Sequence, residues 1–404
     1  MKTPVRFDPF KTEIELKHPL LFWIHQNLFS SPLNVLLTFF SGYLLYTMAT
    51  KVVIPLFGWD WSVVRANLKF ILTGSYPVSQ LWRPWVCLCY SALLAGLTFR
   101  ISTKPESKGP ASLYIVAFAF VLLSFGNFST MAKTFLAIIP FLLVLSFFFS
   151  KWISQQKVVF IAIISWIVLL PFCFILIRGF GGILTYVKTS FWGGLLLSLL
   201  ISLTCIFLSV PIGLLLALGR RSKMRVVQSI CIFIIEVTRG VPLITILFIG
   251  YLILPMALPA SMTPSVFIRA LTGIVMFHSA YMAESFRGGL QGISRTQYEA
   301  ATSLNLSPSK SMLLVILPQV LKRMIPVLVN EFTAALKDTS LVSIIGMLDI
   351  IGVSTSIVSN PKYLTGSSQV LFFEGAIYFL LCYSISKTSR VIENKLGIKS
   401  KVGQ

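Results

Sequence analysis

The residues best able to do chemistry in this chain are charges placed where charge is expensive. Lys337 and Asp338, with Thr339 and Ser340 beside them, lie deep in the otherwise apolar stretch 324–346. An ionisable side chain at the centre of a bilayer costs roughly 3 kcal/mol on insertion scales, so each needs a partner or a wet cavity. A neighbouring cation and anion flanked by hydroxyls would suit a dipolar solute; pairing that only fixes helix packing is the alternative. Glu236 and Arg239 stand one helical turn apart just ahead of Gly240-Val-Pro242, where a helix is expected to break. They either brace that break or meet solute or loop. Glu284 and Arg287 repeat the spacing and suit a structural pair. Asn330 and Glu331 open the same stretch as Asp338 and face either a cavity or a partner subunit.

The elements that position these residues follow from composition. Of 404 residues, 56% are hydrophobic and 12% charged, with 33 Phe and a mean hydropathy of +0.85. A soluble domain cannot cover such a surface. The predicted fold class is an all-α polytopic membrane protein of about ten spans. They are placed at 34–56, 84–99, 111–128, 134–149, 158–177, 189–218, 227–256, 267–284, 324–346 and 368–386. The 84–99 segment is short for a crossing.

Placing the amino terminus inside puts most of the 34 Lys and Arg residues on the inner flanks, so both termini are expected in the cytoplasm. The net charge of +21 is therefore read as topology and contact with anionic membrane lipid, not as nucleic-acid binding. Asp8, Glu13 and Glu15 precede any long apolar run, unlike a cleaved signal peptide, so the amino terminus is expected to stay attached. The six cysteines fall in apolar segments and read as small core residues rather than a disulfide framework.

One inner-side segment, about 285–323, is long, mixed in polarity and helix-forming. Thr296 to Leu304 suits a short helix with Ala300, Ala301 and Leu304 on a small apolar face. Asn305 sits where a left-handed C′ residue would end that helix. Ser307-Pro308 reads as N-cap and N1 of a second short helix. Two short helices joined by a sharp turn make a lever that a soluble partner can push; an amphipathic loop lying on the bilayer is the plainer alternative.

Glu299-Ala300-Ala301, Asn305 at a position usually Gly, and Ile316-Leu317-Pro318-Gln319 together resemble the EAA loop of bacterial ABC-importer permeases. Trp192-Gly-Gly-Leu, Pro211-Ile-Gly-Leu, Glu236-Val-Thr-Arg-Gly-Val-Pro-Leu243, Ala280-Tyr-Met-Ala-Glu-Ser-Phe-Arg-Gly-Gly-Leu-Gln291 and Lys337-Asp-Thr-Ser-Leu-Val342 extend the likeness to the polar amino-acid permease family. The general L-amino-acid ABC transporter permeases are the nearest subgroup. Asn305 departs from the family glycine.

That resemblance implies three regions. Residues 1–187 are an amino-terminal extension of about five spans, 188–390 a type I importer core, and 391–404 a tail. It implies that Glu299, Ala300, Ala301, Leu304 and Asn305 dock on an ATP-binding subunit, with Pro318 breaking the connecting helix. Lys337, Asp338, Thr339 and Ser340 are the candidate path, and Glu236, Arg239, Gly240, Pro242, Glu284 and Arg287 the candidate structural or gating set. The implied partners are a homologous permease, identical or not, two ATP-binding subunits and a periplasmic amino-acid-binding protein, all at a bacterial inner membrane.

No G-x-x-x-x-G-K-[ST] occurs, so ATP is expected at partner subunits and no cofactor on this chain. His18, His25 and His278 lack metal-ligand spacing and no G-x-S-x-G is present, so neither a metal site nor an enzyme is expected. The alternative function is an ion-coupled secondary transporter, because five plus five spans is what an inverted repeat gives.

Overall fold

The computed structural model describes residues 19–53, 58–101 and 129–395, and divides at residue 62 into two units treated separately below. In the first unit, α1 (Pro19–Leu28) and α2 (Pro32–Met48) form a hairpin. Ser31 caps α2 by accepting from the Asn34 N–H at 3.2 Å, with Pro32 in the first turn, and Phe29 meets Phe39 edge to face.

In the second unit, α3 (Ser62–Thr73) buries Val63, Val64 and Ile71 along one stripe. α4 (Trp82–Ile101) packs against α5 (Thr130–Phe149) and α6 (Gln155–Arg178). Two long-range bonds tie this part together: the Tyr76 hydroxyl donates to the Ile177 carbonyl at 2.7 Å, and the buried Arg83 guanidinium to that of Thr185 at 2.9 Å.

The centre of the second unit is the crossing of α7 (Gly194–Arg220) with α10 (Val266–Gln291). Lipid is as apolar as Leu, so helices in a bilayer gain by close approach rather than by hiding apolar surface from water. The seam shows this. Ser209, Gly213 and Ala217 of α7 are buried at four-residue spacing, and Ser279 and Ala283 of α10 are buried likewise. A Cβ on Gly213 would lie 2.4 Å from the Met282 Cβ, so only glycine permits this contact.

Between them run α8 (Arg225–Gly240) and α9 (Leu243–Phe248), whose axis continues to Ala257. The two meet at a 106° bend on Gly240-Val-Pro242, because Pro242 has no N–H to continue the ladder. The expected single span 227–256 is thus a broken one.

After α10 come the short α11 (Arg295–Ser303) and then one continuous helical segment, Pro308–Ile345, whose regular part is α12 (Leu317–Asp338). Helices α13 (Ile350–Val358) and α14 (Ser367–Lys395) finish the described chain. Asp349 is fully buried and caps α13, its carboxylate accepting from the Gly352 N–H at 2.9 Å and the Ile351 N–H at 3.3 Å. Burial pushes its carboxyl up to about 7.

Among the described residues, seven helices are long and apolar enough to cross a membrane, or eight with the bent pair. Of the ten expected spans, 111–128 lies outside the described residues. The 84–99 segment is the 20-residue α4, long enough to cross, though it is not among the seven.

Candidate functional site

The segment between α10 and α12 is a clasp. α11 ends in a paired turn: the Asn305 N–H donates to the Thr302 carbonyl at 2.8 Å and the Leu306 N–H to that of Ala301 at 3.1 Å. This is the Schellman pattern, and it needs a left-handed residue at C′. Asn305 supplies it with φ 54°, the only positive φ outside glycine among the described residues.

Side chains then fasten α11 to its neighbour. Gln319 Nε2 donates to Gln297 Oε1 at 3.0 Å and to the Val315 carbonyl at 2.9 Å, and Arg323 Nη1 donates to the Gly292 carbonyl at 2.7 Å. Behind them Phe286, Leu290, Ile316, Val320 and Met324 form a buried apolar layer.

This geometry divides the expected docking face. Glu299 and Ala300 are exposed and Leu304 is 74% exposed, but Ala301 is 2% exposed and belongs to the chain's own interior. Neighbouring residues on a helix point about 100° apart, so Ala300 and Leu304 share a face that Ala301 does not. The expected break at Pro318 is corrected as well. Pro318 sits in the first turn of α12, and a π-helical stretch, Ser311–Ile316, precedes it. The wider ladder absorbs the missing N–H, and the segment continues without a break.

The two carboxylate–arginine pairs expected along single helices merge into one network with a residue that sequence reasoning counted only as topological charge. Arg220, the last residue of α7, reaches Glu236 of α8 at 2.9 Å and Glu284 of α10 at 3.6 Å. Arg239 reaches Glu284 at 3.8 Å, and Arg287 binds Glu284 through both nitrogens of its fork. Glu236 pairs across to Arg220 rather than along α8 to Arg239. The network joins the ends of three helices beside the clasp. Gly240 has open space around a notional Cβ, so the bend does not depend on its size.

A second polar cluster lies in the interior. His278 of α10 is 2% exposed, with Asp338 Oδ2 at 3.3 Å from Nε2 and Glu331 Oε2 at 3.8 Å from Nδ1. Glu331 and Asp338 are seven residues apart, two turns of α12, and so fall on one face. That spacing is the signal the sequence carries for the cluster; metal-ligand spacing, which His278 lacks, says nothing of a carboxylate pair reaching it from another helix. Of the four residues expected together, Asp338 alone joins the cluster. Lys337 is exposed, Thr339 is buried and bonds back to the Leu336 carbonyl at 2.8 Å, and the Ser340 carbonyl accepts from Ser343.

Comparison with known proteins matches residues 209–396 to the family described as binding-protein-dependent transport system inner membrane component. The inner membrane amino-acid ABC transporter permease protein YhdY of Escherichia coli K12 is 33% identical over 96% of this chain and 98% of its own. The glutamate/glutamine/aspartate/asparagine transport system permease protein BztC of Rhodobacter capsulatus is also 33% identical, over 93% of each chain. A solved amino acid ABC transporter with histidines is 30% identical over 49% of this chain and 90% of that chain, with a TM-score of 0.45. The family match and the two sequence relatives favour the ATP-driven reading over the inverted-repeat one. The chain is a multi-pass membrane protein that belongs to the amino-acid ABC transporter permeases of this inner-membrane component family.

Proposed function

We propose that this permease passes polar L-amino acids along the Glu331–Asp338 face of α12, and that α11 receives the mechanical work from an ATP-binding subunit. Support for the coupling half comes from the clasp. α11 offers Glu299, Ala300 and Leu304 outward while Gln319 and Arg323 fasten its segment to α12. A push on that exposed face is delivered to the helix that carries Glu331 and Asp338.

Support for the path half comes from charge. Two carboxylates, 21% and 33% exposed, stand partly open in front of a buried imidazole. A solute ammonium finds a carboxylate there, and the His278 ring closes the far side of the Asp338 carboxylate at 3.3 Å. The names of the relatives support an amino acid as cargo.

The proposed assembly pairs the 188–390 core with a homologous permease, two ATP-binding subunits on the α11 side and a periplasmic binding protein on the other, with both termini cytoplasmic. Residues 1–187 would be an extension, and they lie wholly outside the family match at 209–396. Closure of the nucleotide-binding dimer would shift the populations of inward and outward states.

Two variant sets test the two halves. Glu299→Lys with Leu304→Asp should release the ATP-binding subunit while membrane insertion is kept; a complex that co-purifies normally overturns the docking role. Glu331→Gln with Asp338→Asn should abolish amino-acid-stimulated ATPase in an assembled complex; unchanged stimulation removes these carboxylates from the path.

A further inference from the structure

At the end of the bundle where α7 and α10 finish, a cavity of about 370 Å³ is lined by Arg220, Arg221, Arg287 and Gln291. Every lining residue brings hydrogen-bond donors. Three are guanidinium forks, and the fourth is a carboxamide whose oxygen already accepts from Arg287 Nη1 at 2.9 Å, which leaves its amino group. No carboxylate lines the cavity. Glu236 and Glu284 instead hold Arg220 and Arg287 in place from outside the lining.

The local charge does not balance. Two glutamates stand against Arg220, Arg221, Arg239 and Arg287, an excess of two positive charges before Lys223 and Arg225 in the adjoining turn are counted. Planar forks braced by carboxylates make a preorganised receptor for an oxyanion, which they can grip in bidentate fashion.

We propose that this cavity holds the phosphate group of an anionic phospholipid. Arg220 ends one membrane-crossing helix and Arg287 and Gln291 end another, which is the depth at which hydrocarbon gives way to head groups. Leu215, Met224 and Val226, on the same turn and helix ends, are 67%, 67% and 70% exposed and leave apolar surface for acyl chains. Free phosphate would satisfy the arginines equally but would have no use for that surface. The assignment does not depend on which solute is carried.

The test uses the full chain with its co-purifying subunits in nanodiscs of phosphatidylcholine containing phosphatidylglycerol, read by native mass spectrometry. The variant is Arg221→Gln with Gln291→Ala, since neither side chain holds a glutamate. Wild type should retain phosphatidylglycerol, and the variant should lose roughly tenfold of that retention through the missing charge-assisted bonds. Arg221→Lys, which keeps the charge, should lie between.

Equal retention by wild type and the double variant overturns the proposal. Displacement of the lipid by millimolar inorganic phosphate reassigns the site to a soluble oxyanion and overturns it too. Release of the ATP-binding subunit by the double variant with lipid retention unchanged would place a partner carboxylate in the cavity, and the lipid assignment falls.

Discussion

The two ends of the α7–α10 crossing are held together by opposite means. At the α11 end the fastening is polar and partly open to solvent: five charged side chains in shared bridges, a glutamine clasp and an outward-facing helix. At the other end the fastening is mostly backbone on backbone, with one buried hydroxyl added. The Gly194 N–H donates to the Leu348 carbonyl at 2.7 Å, Gly194 and Asp349 form a parallel bridge, and the Ile350 N–H donates to the buried Ser198 hydroxyl at 3.3 Å. Gly74 and Gly193 touch there so closely that a Cβ on Gly74 would lie 2.5 Å from the Gly193 Cα. Shared ion pairs can exchange partners without opening a void, whereas backbones in contact admit one arrangement. The polar end is therefore the one with room to rearrange, and the glycine end is the one without it.

The sharpest break of that contrast is Gly194→Ala. Gly194 holds φ +58°, and its Cβ would lie 2.1 Å from the Ile71 carbonyl oxygen. Left-handed strain and backbone overlap add, at about 3 kcal/mol or more. The expected outcome is little or no folded protein by detergent-extracted yield and size-exclusion profile. Next comes Ala301→Asp, which puts a carboxylate into the apolar layer under α11 at a cost of about 2–3 kcal/mol. Hydrogen exchange should show α11 detached while the α7–α10 crossing stays protected. A smaller effect is expected of Glu284→Gln, which takes the shared partner from Arg220, Arg239 and Arg287 and costs about 1–2 kcal/mol at this partly exposed site. Glu236→Gln, with one partner and a half-exposed side chain, should cost less. Equal losses from both would mean that the bridges act singly rather than as a network.

How much of this was legible beforehand depends on whether the deciding interaction lies within one helix or between two. The short helix at 296–304, the left-handed turn at Asn305 and the break at Gly240-Val-Pro242 are local matters of propensity and missing N–H groups, and they could be read from neighbouring residues. Arg220 meeting Glu236 and Glu284 could not, because no periodicity states which helix ends come together. Ala301 turning inward depends on where α12 lies. Pro318 without a break depends on the π-helical stretch before it, which substitutes geometry for the hydrogen bond that proline removes. Glu331 and Asp338 were one spacing rule away from being paired, but their partner His278 comes from another helix.

The glycine end has a titratable weak point. Asp349 is buried beside Glu374 of α14, and desolvation first, then that like charge, lift its carboxyl to about 7. An unfolded Asp titrates near 3.9, on the order of the usual model-peptide value. The folded state thus holds the proton more tightly, and the stabilisation is complete below the unfolded value and is lost as pH rises through about 7. The melting temperature should fall by a few degrees from pH 5 to pH 8. Asp349→Asn should flatten that slope, since the amide oxygen can still accept from the Gly352 N–H. A slope unchanged in the variant would move the titration to another group.

The smallest effect is expected at the turn that ends α11. Asn305 pays for its positive φ with less strain than any other non-glycine residue, because its short amide can bond locally. Asn305→Ala should cost about 1 kcal/mol and loosen the last turn, seen as faster exchange of the Leu306 amide, whose bond to the Ala301 carbonyl closes the motif. Asn305→Gly relieves the remaining strain but frees the unfolded chain, so the two terms oppose and the net change should stay within about 0.5 kcal/mol of zero. The ordering matters more than either value. Glycine close to asparagine, with alanine clearly below both, identifies backbone handedness as what position 305 supplies. Alanine equal to glycine would mean that the amide side chain itself holds the turn, and that α11 is fastened by one more polar contact of the kind that marks its end of the molecule.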